Sequence, residues 1–512
     1  MAACAFVHVD RVAADAPEPS GASEGLRGYL ESQGSPAFAS DDRGAELWRV
    51  VRAFYEHRQY APAWIDADGG LTPGARALVQ AIAAAGREGL SAGRYDPRAF
   101  LGPQVVNAAL TNAAGERPGR LDAALSFAFL RYASDLTSGA VDPTGAASLW
   151  RVSVRPFDAA ATLEAAVRDD SPVRYLDDAR PPHPQYAALS EALARYRRLD
   201  AAGGWTAVPA AGRNQAARAA QAAALRQRLQ ATGDATLKAF QARHGLVATG
   251  SLDRPTLAAL NVPVEERIRQ IELNLERWRW QGFEPGGRSI LVNVPTFQLH
   301  AYEDGREALT MRVITGTGDS QTPVLAEAMS QVVFSPYWNV PANILETEVL
   351  PKVRRDAGYL ARMNMEMTRS GSSFSVRQRP GARNALGLVK FLFPNPFNVY
   401  LHDTPGDGLF ARPQRTFSHG CVRLQKPEAL ARFVLRGADG WDDAAIAKAM
   451  RSGREQGVAL PSPVPLRIAY FTAWVETDGT VRFPPDVYRH DVAQGRLLPE
   501  RPPATMVASS RS

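Results

Sequence analysis

Near residue 288 the apolar residues change their spacing, from every third or fourth position to every second one. A helix repeats every 3.6 residues and a strand every two, so the two stretches cannot be the same kind of element. Upstream, Ala-rich runs such as Leu78 to Ala85 and Leu121 to Leu136 carry the helical spacing, punctuated at Pro97, Gly102-Pro103 and Pro143. Downstream, Ile290 to Val294, Gln298 to Tyr302, Leu309 to Thr315, Val332 to Phe334 and Val399 to Leu401 read as strands. Glu303-Asp304-Gly305-Arg306 reads as a hairpin turn between two of them. The expectation is an α+β chain, and at 512 residues a multidomain one.

The walk along the chain divides it further. Residues 1–24 are rich in Ala, Pro, Ser and Gly and read as a disordered lead or the remnant of a signal. Their start lacks a basic n-region and its apolar run is short, so a longer signal or membrane anchor upstream of Met1 is expected. N-terminal sequencing of the native protein decides that. Residues 25–214 read as mainly helical. Residues 215–262 form a compact unit whose Leu225, Leu229, Leu237, Phe240, Leu252, Leu257 and Leu260 fit three helices. A linking helix occupies 263–287, with Ile268, Ile271, Leu275 and Trp278 as a packing stripe. The β-rich part spans 288–485 and holds a helical insertion at about 342–366. Helices are expected at 427–435 and 443–450, then a late hairpin from Leu466 to Val475 and back through Val481 to Phe483. Residues 486–512 read as a tail. Gly316-Thr317-Gly318-Asp319 lacks the Lys-Ser/Thr of a phosphate loop and reads as a turn.

Two cysteines, Cys4 and Cys421, are too few for a disulfide framework. A lone internal cysteine is either a small buried apolar residue or a reactive thiol. Cys421 sits in Ser418-His419-Gly420-Cys421-Val422-Arg423, and His402 lies nineteen positions upstream in Tyr400-Leu401-His402. A free thiol is mostly protonated at neutral pH and needs a base or a positive neighbour to become a nucleophile. Gly420 allows a backbone conformation barred to other residues, and a backbone N–H there could face a developing oxyanion. A metal held by His402, His419 and Cys421 would lack a fourth ligand, so no metal is expected. The other histidines in these patterns, His244 and His300, read as non-catalytic. The net charge of +6 suits either an acidic polymer or a solvated Arg-rich surface. No nucleic-acid motif accompanies it, and no nucleic-acid partner is expected.

The Ser418-to-Arg423 run with His402 upstream resembles the signature of the L,D-transpeptidases with a YkuD-type catalytic domain. Asn274 to Trp280, Asn339-Val340-Pro341, Asn384 to Gly387 and Lys390 to Asn395 extend the likeness to the large, YcbB-like branch, over roughly residues 40 to 485. The resemblance implies a mostly-β catalytic domain at 288–485 with a capping subdomain at about 342–385. It also implies a helical scaffold domain at 25–214 and, from Leu237 to Leu260, a three-helix peptidoglycan-binding domain at 215–262.

The same resemblance carries roles. Cys421 would attack a stem-peptide carbonyl, His402 would take the thiol proton, and His419 and Gly420 would shape the site and stabilise charge. Arg423 would meet a substrate carboxylate or serve a structural ion pair. Tyr400 would line the cleft or pack, and Ser418 would bond a histidine or cap the loop. The implied reaction joins third-position diamino acids of two stems through a thioester on Cys421, with no cofactor. Peptidoglycan stems and glycan strands would be partners, and carbapenems covalent inhibitors. The compartment implied is the periplasm or cell envelope. Two rivals remain: an L,D-carboxypeptidase using water as acceptor, and an idle wall-binding scaffold.

Overall fold

The structure, a computed structural model, describes residues 21–498 apart from 33, 35, 67, 105, 107–116, 144–148, 153, 211–212, 283–285 and 371–372. Cys4, most of the expected lead and the end of the tail lie outside the described residues. The chain forms two compact units. The first takes residues up to Ala85, then Ser91–Ser134 and Phe157–Ala179. The second takes Gly86–Leu90, Asp135–Pro156 and Arg180 onward.

The first unit is helical, and its helices begin where polar caps stand before a Pro or a polar first turn. Asp41 caps Asp42–His57, Thr72 caps Pro73–Ala83, Asp96 caps Pro97–Leu101 and Asp158 caps Ala159–Arg168, each through its side chain. The buried carboxylate of Asp122 accepts the amides of Ala63, Trp64 and Ile65 and the hydroxyl of Tyr55. That satisfies an otherwise costly buried acid and ties a loop to the helix bearing it. A helix already covers Gly21–Ser32, so order begins before the expected boundary at residue 25.

The second unit is built on a closed sheet. Its strands are β1 (Trp150–Arg151), β2 (Arg288–Asn293), β3 (Gln298–Glu303), β4 (Arg306–Gly316), β5 (Val324–Phe334), β6 (Trp338–Asn339), β7 (Met365–Ser370), β8 (Ser373–Gln378), β9 (Val389–Leu392), β10 (Leu401–His402), β11 (Thr416–Ser418), β12 (Val422–Leu424), β13 (Gln456–Ala469), β14 (Trp474–Val475) and β15 (Val481–Arg482). The hydrogen-bonded order is β1-β5-β13-β2-β3-β4-β12-β10-β9, with β11 on β4, and β9 returns to pair with β5. Closure leaves few open edges and encloses Ile290, Val292, Leu299, Val313, Val332, Phe391, Leu401, Val422 and Ile468 as one core.

The region 25–214 is mainly helical and also supplies β1, which joins the sheet beside β5 with Trp150 opposite Val324. Two expectations are corrected. The late hairpin does not begin at Leu466. The stretch to Ala469 belongs to β13, held between β2 and β5, and only β14 and β15 form a hairpin. Nor is 486–512 a loose tail throughout: residues 486–498 are folded, with a helix at His490–Gly495, and Tyr488 and Gln494 are buried.

The three-helix unit comprises Gln215–Thr232, Leu237–Arg243 and Arg254–Leu260, packed around Val208, Phe240 and Leu260. The helix Val264–Arg279 is buried on nearly every side and packs on Pro184–Ala201. Its polar residues are paired rather than solvated: Asn274 exchanges hydrogen bonds with Thr472, and Arg277 meets Asp491 at 2.7 Å. The insertion after β6 holds short helices from Ala342 to Arg362, then the hairpin β7–β8, which pairs with β6 around Leu345, Val349 and Val376. The hairpin follows the helical stretch expected at about 342–366 and falls within the span 342–385 expected as a capping subdomain.

Candidate active site

Strands β10 and β12 run parallel, with Leu401 opposite Val422 and His402 opposite Arg423. Leu401 and Val422 are fully buried in the sheet core. Side chains alternate along a strand, so Tyr400, His402, Cys421 and Arg423 share the opposite face. All four line one cavity of about 570 Å³ with Ser418 and His419, together with Trp338, Asn339, Val340 and Pro341 of β6 and the turn after it and Asn343 and Ile344 of the insertion. Two stretches nineteen residues apart thus meet because a parallel pairing places them side by side.

Nδ1 of His402 lies 2.5 Å from the carbonyl oxygen of Asp403. A carbonyl only accepts, so Nδ1 carries the proton and Nε2 keeps its lone pair for the cavity. Burial, with the nearby Arg423 charge, pushes His402 down to about 3. Its imidazole is therefore neutral at physiological pH, the form a base requires. Burial also raises the Cys421 thiol, while the amide and hydroxyl of Tyr400 and the charge of Arg423 act against that rise. The thiol donates weakly to the Asn398 carbonyl, 3.9 Å away. At rest the cavity thus holds a neutral thiol and a neutral imidazole. Tyr400 packs edge-on to His402, ring centroids 5.7 Å apart.

The loop before Cys421 is shaped by its own hydrogen bonds. Gly420 has φ of +109°, a conformation that disfavours any side chain, although nothing crowds a Cβ there closer than 3.5 Å. Its amide donates to Ser418 Oγ, so it does not face the cavity as expected. Ser418 Oγ in turn donates to the Cys421 carbonyl at 2.5 Å, which makes Ser418 a loop cap rather than a histidine partner. The Cys421 amide has no acceptor among the described residues and is a donor available to an oxyanion. His419 points to the insertion, with Nε2 2.8 Å from Glu348 Oε1. Arg423 has no carboxylate partner among the described residues, and its Nε is buried without an acceptor.

Several supporting residues escaped the sequence reading. Thr322 Oγ donates to the Gly420 carbonyl, and the Tyr488 hydroxyl receives the Thr322 amide and donates to the Gly316 carbonyl. The Asp403 carboxylate holds the amides of Leu388 and Thr404, and Gly387 (φ +60°) lies so close that a Cβ would collide with it. Asn395 caps the 395–399 loop that presents the Asn398 carbonyl to the thiol. Asn384 and Asn395 lie within motifs quoted above, so the signal was present without its physical meaning. His244 stacks on Phe240 and His300 meets Glu307, both away from the cavity. Among the described residues no group of three or more His, Cys, Asp or Glu side chains could hold a metal ion.

Two family models match parts of the chain. Residues 287–444 match the family model described as the L,D-transpeptidase catalytic domain (YkuD), and residues 49–193 match the one described as the scaffold domain. A Haemophilus influenzae protein named "Putative L,D-transpeptidase" is 35% identical over 219 residues, which is 40% of this chain and 44% of that protein. The chain thus spans under half the length of that curated relative. A solved L,D-transpeptidase fragment from Xylanimonas cellulosilytica aligns over 48% of this chain and 91% of its own, at 18% identity and a TM-score of 0.19. One from Stackebrandtia nassauensis aligns over 54% and 89%, at 14% identity and a TM-score of 0.18.

Proposed function

Because the chain carries a stretch that matches the L,D-transpeptidase catalytic domain and, before it, one that matches the scaffold domain, we propose that it crosslinks peptidoglycan through a thioester on Cys421. The observation that carries this reading is the shared face of His402 and Cys421, with His402 Nδ1 tied to the Asp403 carbonyl and its other nitrogen free. In the proposed first step the Cys421 sulfur bonds to the carbonyl carbon between the third-position diamino acid and the terminal D-alanine of a stem. His402 Nε2 takes the thiol proton, and the Cys421 amide donates to the oxyanion. Collapse breaks the C–N bond, and His402 returns its proton to the departing amine. In the second step the side-chain amine of another stem attacks the thioester, loses a proton to His402 and releases the thiol.

The unpaired guanidinium of Arg423 supports a contact with a substrate carboxylate. His419, tied to Glu348, would hold the roof over the cavity, and a covered site favours amine over water as acceptor. The partners proposed are stem peptides and glycan strands, the latter held by the three-helix unit at 215–262, with carbapenems as acylating inhibitors. Cosedimentation of the whole protein with purified sacculi tests the glycan contact. The compartment proposed is the periplasm or envelope, where such a wall lies, and cell fractionation tests it.

The deciding experiment supplies a tetrapeptide-bearing muropeptide and follows products by mass. A crosslinked dimer together with released D-alanine is expected. Tripeptide alone would turn the reading to the carboxypeptidase, and no product from folded protein would turn it to the idle scaffold.

A further inference from the structure

A second cavity, of about 240 Å³, lies where Ala242, Gly245 and Leu246 of the three-helix unit meet strands β4 and β15 and the loop 411–415. Its lining includes four arginines, Arg312, Arg412, Arg415 and Arg482, and no acidic side chain. Like charges gathered in a partly enclosed space repel, and that repulsion is unfavourable unless an anion enters.

The positions are built rather than incidental. Arg415 is only 7% exposed, and its guanidinium is held by the carbonyls of Val313, Arg412 and Phe297, all neutral. It also lies over the Phe297 ring at 5.2 Å. Arg312 donates to the Phe410 carbonyl, again a neutral partner. Arg412 makes no side-chain hydrogen bond or ion pair among the described residues. Arg482 is the exception, since Glu476 lies 3.3 Å from its Nη1, yet its Nε is buried and without an acceptor. One carboxylate therefore stands against four cations. Burial and the neighbouring charges of Arg312 and Arg482 together push Arg415 down to about 10, which agrees with an uncompensated cluster.

We propose that this arginine-lined cavity is a binding site for an oxyanion of the carboxylate or phosphate class, separate from the Cys421 cavity. Planar guanidiniums with free N–H groups suit the paired oxygens of either ion. Inorganic phosphate and citrate serve as probes for the two sources.

Isothermal titration of the full chain at constant ionic strength, balanced with chloride, tests the proposal. Binding of phosphate, citrate or both is expected, and the ion that binds identifies the source. The double variant Arg412→Ala/Arg482→Gln is expected to bind at least about tenfold more weakly, the usual worth of charge-assisted contacts. Prior acylation of Cys421 with a carbapenem should leave the binding unchanged. If the double variant does not fold, Arg312→Gln alone is expected to weaken binding. Heat no different from chloride for both ions, or equal affinity in the folded variants, would overturn the proposal, as would loss of binding on acylation.

Discussion

His402 donates through Nδ1 to the carbonyl oxygen of Asp403, 2.5 Å away and one residue along the chain. A backbone group thus does the orienting that a carboxylate does in many nucleophile–base pairs, so the proposed base gains direction without gaining a charge. Burial does the rest and keeps the ring neutral. Removing the Cys421 thiol should stop chemistry, and removing the His402 imidazole should slow it, with the fold spared in both. Cys421→Ala should show no carbapenem adduct by intact-protein mass. His402→Gln should acylate about 100- to 10,000-fold more slowly, the range for loss of a general base. An adduct on Cys421→Ala would remove this sulfur from the mechanism.

The pH dependence follows from the same burial. His402 is held down to about 3, so its neutral form persists well below the ordinary histidine range. The acylation rate should then show no inflection near pH 6.5 on the acid side. Stopped-flow acylation between pH 5 and 8 checks this, and a clear inflection at 6.5 would place His402 in solvent.

Stability should respond to acid in a defined sense. His183 and His402 are lowered to about 3 and His490 to about 4, each mainly by burial. Between these values and about 6.5 the unfolded chain binds protons that the native chain does not, so stability falls as pH falls through that window. The cost approaches about 1 kcal/mol per pH unit for each histidine that stays neutral. Melting temperature should drop from pH 7 to pH 5 in the second unit, and a flat profile would contradict the burial of these rings.

Arg423→Lys tests substrate recognition. A compact ammonium cannot give the two-pronged contact of a guanidinium, so kcat/KM for a carboxylate-bearing donor should fall about 10-fold or more, mainly through KM. The same change should matter little for a donor whose carboxylate is amidated. Equal losses on both donors would make Arg423 a structural residue.

Gly387→Ala should reach the site indirectly. Its Cβ would meet the Asp403 carboxylate, which fixes the amides of Leu388 and Thr404 around the His402–Asp403 bond. Strain of this kind costs about 1–3 kcal/mol. Acylation should slow while Cys421 remains intact by mass, and unchanged acylation would show that the loop yields. Glu348→Gln, in contrast, breaks an exposed pair with His419 that is worth at most about 1 kcal/mol, so stability should hold. Hydrogen exchange in 342–362 should rise if that pair holds the roof.

The candidate nucleophile and base were legible in the chain because a strand pairing needs only short local patterns and a motif carries its own spacing. Cys421, His402, Tyr400 and Arg423 fell on one cavity as their alternation requires. The switch from helical to strand period, and the three helices around Phe240, were equally local. Ser418 was readable as a loop residue, but its choice of the Gly420 amide over a histidine depends on atoms the pattern does not specify.

Other features arose only when distant segments met. Trp150 became a strand because β5 offered it an edge, although the regular elements before and after it in sequence are the helices Arg117–Ser138 and Ala159–Arg168. Residues 486–498 lack a strong periodic signal, yet Tyr488 closes on Gly316 and Thr322 across more than 160 positions of chain. The partner of His402, the proposed base, is a main-chain carbonyl, which every residue possesses and no sequence can mark. Periodicity reports which face of an element is apolar. Which faces then meet, and which backbone groups they leave for chemistry, is a property of packing and hydrogen-bond satisfaction over the whole second unit.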